Sequence, residues 1–113
     1  MLPEQNGFAV RHESIEGVAR IFLSGELDLA SVSLLDEALA SVERSNGVST
    51  IVLDVSDLEF CDSTGLRAFI RGQRRATDRG ASFVLANARG SVLQLLRLTG
   101  SERLLSTADG RDG

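Results

Sequence analysis

The chain has 113 residues, 42% hydrophobic and 25% charged, the length and make-up of one ordinary globular domain, which excludes a largely disordered or membrane-embedded chain. Twelve basic against sixteen acidic residues leave a formal charge of −4, so the total offers no attraction for nucleic acid or an anionic membrane. A single cysteine, Cys61, and a single histidine, His12, exclude an internal disulfide and supply too few ligands for a structural zinc site.

The charge is unevenly spread. Residues 1–62 carry Arg11, Arg20 and Arg44 against twelve carboxylates, a net of −9, whereas residues 63–113 carry nine arginines against four carboxylates, a net of +5. Every basic residue is arginine. No apolar run approaches the ~18 residues of a membrane span, and the first ten residues form neither a basic leader nor an apolar signal core. A cytoplasmic location without a membrane partner is therefore expected.

In chain order, residues 1–7 read as a lead-in. Phe8 and Val10 alternate with Arg11 and Glu13, and after Ser14 to Gly17 a second run, 18–23, continues the pattern, which predicts an opening hairpin. Residues 31–44 place Val32, Leu35, Leu39 and Val42 at helical spacing, and Asn46-Gly47 stops the helix. The β-branched run 50–55 predicts a central strand. A second helix over 63–79 buries Leu66, Phe69, Ile70 and Ala76 and ends at Gly80; residues 82–86 follow as a strand. A third helix, about 89–98, turns Val92, Leu95 and Leu96 inward, and 104–105 predicts a last short strand. The folded domain is expected over 8–106, with 107–113 as a flexible tail. Strands separated by helices predict an α/β fold, its sheet mixed because of the opening hairpin.

Most catalytic groupings are missing. His12 lies roughly fifty residues from Cys61 and Ser63, so no base accompanies a nucleophile, and His12 reads as a partly exposed strand residue. There is no G-x-S-x-G elbow and no phosphate-cradling glycine loop, and a chain without lysine cannot form a P-loop. Cys61 reads as a small core residue. No catalytic residue, metal or cofactor is expected.

Two segments remain. In Phe60-Cys61-Asp62-Ser63-Thr64-Gly65-Leu66, Asp62 is suited to cap the second helix, which would put Ser63 and Thr64 at its partially positive end, where a phosphate on Ser63 is expected to meet amide donors. On spacing alone, Asp-Ser-Thr is also what ordinarily caps a helix. Ser24-Gly25-Glu26-Leu27-Asp28 stands between the second strand and the first helix.

These two segments, with Ile-Val-Leu-Asp-Val before the first and Leu-Leu-Arg-Leu-Thr-Gly near the end, resemble the STAS domain of bacterial anti-sigma-factor antagonists over residues 8 to about 106. The resemblance implies a mixed β-sheet with helices packed mainly on one side. It implies that Ser63 is phosphorylated by a partner that is both anti-sigma factor and serine kinase. The unphosphorylated form would bind that partner and release the sigma factor; a PP2C-type phosphatase would reset the switch. Asp28 matches an acid near the phosphorylation site, Asp62 the acid preceding the serine, and Thr64 and Gly65 complete the motif. Two departures stand out: Arg67 replaces a common glycine, and the chain stops soon after Leu105, where a final helix is usual, so that helix is expected to be short or absent.

Arg67, Arg71, Arg74 and Arg75 repeat at i, i+4, i+7 and i+8, a basic stripe that reads either as a solvated face or as a dock for an acidic partner. Nucleic acid is not expected, since Trp and Tyr are absent and no Phe interleaves with the arginines. Two alternatives to the antagonist stay open: an unphosphorylated STAS scaffold in a transporter or stress-sensing complex, and a nucleotide-binding protein or hydrolase using the same loop.

Overall fold

The structure, a computed structural model, describes residues 7–105. The expected lead-in, Gly7 apart, the expected tail over 107–113 and any final helix lie outside the described residues.

Strands β1 (Ala9–Ile15) and β2 (Val18–Leu27) form the expected hairpin. Its two-residue turn needs φ > 0 at both positions to match strand twist, and Glu16 (φ 52°) and Gly17 (φ 85°) supply it. Helix α1 (Val32–Arg44) then returns the chain so that β3 (Thr50–Cys61) lies parallel to β2, and α2 (Ser63–Asp78) does the same for β4 (Ser82–Ala86). Helix α3 (Gly90–Leu98) and a 3-10 turn (Glu102–Leu104) follow. The order β1-β2-β3-β4 makes β3 central, as expected, in a mixed sheet. In place of the predicted strand at 104–105, Leu105 makes a single parallel bridge to Leu85.

The core occupies one face. Ala19, Ile21 and Leu23 of β2, Ile51, Leu53 and Val55 of β3, and Phe83 and Leu85 of β4 alternate inward and meet Leu35, Leu39 and Val42 of α1, Phe69 and Ala76 of α2, and Val92 and Leu96 of α3 in one buried cluster. Gly72 lets α2 approach β4, because a Cβ there would stand 2.8 Å from the Phe83 ring. The opposite face carries no helix among the described residues; there Arg11 stacks 4.0 Å above the Phe22 ring and Arg20 lies 3.8 Å from Asp54.

Both β2 and β3 run further than the hydrophobic pattern predicts. Phe22 opposes Asp54, Ser24 opposes Asp57, and Glu26 opposes Phe60, so β3 holds two extra residues against β2, accommodated at register shifts. Alternation breaks at each shift, which hides the second half of β3 in the sequence. Gly25 (φ 88°) sits at one shift, and a side chain there would strike the Gly7 carbonyl.

Candidate functional site

The site lies where β2 and β3 end together. Leu27 and Cys61 are partners in the parallel ladder, and the next amide, Asp62 N, donates to Leu27 O at 3.3 Å. The Asp28 turn is thereby fixed beside the start of α2.

Asp62 has extended backbone (φ −103°, ψ −170°), and its Oδ1 accepts from Thr64 N (2.9 Å) and Gly65 N (3.2 Å), while its carbonyl accepts from Leu66 N (3.0 Å). It is the helix cap the sequence predicts. Ser63, the first helical residue, is exposed; Thr64 is half-buried and Gly65 buried. Two of the first amides of α2 are thus taken by Asp62, so a phosphate on Ser63 would share this helix end with a carboxylate.

Gly65 has a packing reason. A Cβ there would stand 2.7 Å from Cys61 Sγ and 2.8 Å from the Leu27 side chain. The first turn of α2 therefore rests directly on the ends of β2 and β3. Cys61 is buried, its thiol donates to Asp62 O at 3.4 Å, and burial, with the Asp62 charge behind it, pushes its pKa up to about 12. It is a neutral core thiol at physiological pH, as the sequence suggests.

Asp28 Oδ1 accepts from Ala30 N (3.0 Å) within its own turn. Ser31, fully buried, closes that turn: its hydroxyl donates to Glu26 O (2.8 Å), with Asp28 Oδ1 3.3 Å away as alternative acceptor, and accepts from Asp28 N (3.0 Å). In the sequence Ser31 stands only as the start of a helical pattern. A serine before an amphipathic run signals a cap, yet here the side chain makes no cap bond and turns back into the preceding loop.

The arginine stripe divides. Arg71 reaches Asp36 of α1 (3.5 Å) and Arg75 reaches Glu43 (2.9 Å), whereas Arg67 and Arg74 have no carboxylate partner among the described residues. Helical spacing puts Ser63, Arg67 and Arg74 on one face, with Arg71 and Arg75 turned toward α1. The stripe is not one uniform solvated surface: Arg71, expected to serve a partner, is shared with the domain's own helix. Among the described residues no cluster of His, Cys, Asp and Glu could hold a metal, and no helix is long and apolar enough to cross a membrane.

The sequence profile of the family described as "Mlab, STAS domain" matches residues 11–106. The chain belongs to the STAS-domain family. The domain is 34% identical over 95 residues to the anti-sigma-F factor antagonist RsfB of Mycobacterium tuberculosis, covering 80% of this chain and 75% of that one. It is 26% identical over 98 residues to the anti-sigma-B factor antagonist of Bacillus subtilis, covering 87% and 88%. Among solved structures, that of an anti-sigma factor antagonist from Mycobacterium paratuberculosis superposes with a TM-score of 0.77 at 25% identity, covering 88% of this chain and 84% of the other. The STAS fold expected from the resemblance is the fold observed.

Proposed function

We propose that this STAS domain is an anti-sigma-factor antagonist, a binding switch without catalytic activity of its own, whose state is the phosphate on Ser63. The observation that carries the reading is the exposed Ser63 at the first position of α2, next to the Asp62 cap, in a chain whose relatives are named as antagonists of anti-sigma factors. Those names support the antagonist over the scaffold alternative. The partner is an anti-sigma factor with serine kinase activity, a PP2C-type phosphatase removes the phosphate, and the exchange takes place in the cytoplasm.

Electrostatics gives the switch its scale. Phosphorylation adds about 1.5 to 2 negative charges. At ~6 Å and an effective dielectric of ~20, a like-charged pair of unit charges costs about 3 kcal/mol, so one facing carboxylate on the partner lowers affinity by roughly two to four powers of ten. The Asp62 and Asp28 carboxylates add repulsion inside the domain, but Ser63 is exposed and solvent screens it. Affinity should therefore change far more than stability.

The test is binding and intact mass. Ser63→Ala should bind the anti-sigma kinase and gain no phosphate in the presence of ATP. Ser63→Glu should bind poorly while melting close to wild type, and Thr64→Ala should still be modified. Phosphate on Ser63→Ala would overturn the assignment.

A further inference from the structure

The four-stranded sheet ends in two unlike edges. At β4, Leu105 bridges to Leu85 and covers part of the rim, whereas the outer side of β1 meets no strand among the described residues. The hairpin decides which backbone groups this side presents. Its two-residue turn makes Ile15 and Val18 a hydrogen-bonded pair, and bonding alternates from there along an unbroken register, so Glu13, Arg11 and Ala9 also bond to β2. Val10, His12 and Ser14 therefore turn their N–H and C=O groups outward, and among the described residues no other backbone group takes them up.

Proteins ordinarily blunt such a rim with a proline, a bulge or charge. β1 has no proline, pairs without a bulge, and is exposed from Arg11 to Ile15. Its arginine and its glutamate are of opposite sign. Arg11 opposes Phe22 and Glu13 opposes Arg20, which places both on the helix-free face of the sheet, away from Ile21 and Leu23. There the Arg11 guanidinium is held over the Phe22 ring, and neither Arg11 nor Glu13 has an ion-pair partner among the described residues. Ile15, 64% exposed, shares that face.

This pattern is complementary to itself. A second copy of β1 laid antiparallel and centred on His12 overlaps the whole strand and pairs the outward groups of Val10 with those of Ser14, and of His12 with its own symmetry mate. Arg11 then stands opposite Glu13 of the second copy, and Glu13 opposite its Arg11, at positions where Cα atoms approach to about 4.5 Å and side chains lie closest. Ile15 gains Ala9 of the second copy as its neighbour. Centring the pair on Arg11 or on Glu13 instead sets arginine against arginine or glutamate against glutamate, so charge selects one register.

We propose that β1 is a homodimerisation edge: two copies pair antiparallel about a two-fold axis at His12, joining their sheets into one, with the reciprocal Arg11 and Glu13 pairs fixing the register. Pairing at this edge does not depend on the reading of Ser63, because β2 separates β1 from the strand that leads into Ser63.

Sedimentation equilibrium of the full chain, from micromolar to millimolar concentration, should show monomers in equilibrium with dimers. Amide exchange should slow with concentration at Val10, His12 and Ser14 and stay unchanged at Arg11 and Glu13, whose amides already bond to β2. Arg11→Glu and Glu13→Arg should each weaken the dimer about tenfold, since symmetry turns two attractive pairs into repulsive ones, and the two together should restore it. Glu13 lies opposite Arg20, so should Glu13→Arg unfold the hairpin, Arg11→Glu and the exchange pattern still decide. A chain that stays monomeric throughout that range, or a dimer whose affinity Arg11→Glu leaves unchanged, overturns the proposal.

Discussion

Asp62 and Leu27 are joined by a backbone hydrogen bond of 3.3 Å, and through it the Asp28 turn and the Ser63 helix end become one surface. The same Asp62 caps α2 with its side chain. Asp62→Ala removes the acceptor for Thr64 N and Gly65 N and should cost about 1 kcal/mol, a fall of several degrees in melting temperature. Asp62→Asn keeps an acceptor and should lose much less. Equal losses in the two variants, followed by circular dichroism, would show that charge and not the cap bond matters.

Gly65→Ala sets helix propensity against packing. Alanine is favoured in a helix by about 1 kcal/mol, but the new methyl would press on Cys61 Sγ and Leu27, both buried. Overpacking of this kind costs about 1–3 kcal/mol, so a net destabilisation is expected in urea unfolding. Adding Cys61→Ala relieves one of the two contacts and should restore part of the loss. A Gly65→Ala domain more stable than wild type would mean that α2 shifts freely at its first turn.

Ser31→Ala leaves Glu26 O and Asp28 N without the hydroxyl that joins them. Because the site is buried, the expected cost is about 1–3 kcal/mol, with faster hydrogen exchange at the Asp28 amide. Unchanged exchange there would show that the turn holds without its serine.

Asp54 predicts an acid limb. Burial pulls its pKa upward, but bonds from Ser56 N (3.0 Å), Ser56 Oγ (2.7 Å) and Asn87 Nδ2 (3.2 Å), with the Arg20 charge, outweigh it and hold the carboxyl below its ordinary 3.8. A folded pKa below the unfolded one contributes stability that is full above the unfolded value and lost as pH falls through the folded one. Urea midpoints should decline below about pH 4. Asp54→Asn should be less stable at pH 7 and show a shallower decline. An equally steep acid limb in Asp54→Asn would place its origin elsewhere.

The arginines should separate by role. Arg75→Glu sets a carboxylate against Glu43, now 2.9 Å from the guanidinium, and should lower stability. Arg67→Glu with Arg74→Glu should leave stability within about 0.5 kcal/mol and slow association with the anti-sigma factor, most at low salt. Stopped-flow rates unaffected by reversal of Arg67 and Arg74 would reduce that face to solvated surface.

The sequence alone determined what depends on near neighbours. Helix α1 begins at Val32 against a predicted start of 31, β4 is Ser82–Ala86 as predicted, and Asp62 caps α2, because apolar spacing, glycine stops and capping are satisfied within a few residues. The start of α2 at Ser63 is readable for the same reason, whereas its reading as a phosphorylation site rests on the family resemblance. Tertiary structure decided what depends on distant partners. Ser56 to Cys61 show no alternation and are a strand only because β2, with its register shifts, supplies the hydrogen bonds. Arg71 and Arg74 are indistinguishable as residues on a helical stripe, and only the packing of α1 against α2 puts Asp36 within reach of one of them. The placing of the Asp28 turn beside the Asp62 helix start is likewise a product of parallel pairing, which joins segments more than thirty residues apart through backbone groups that every residue carries and no side-chain pattern encodes.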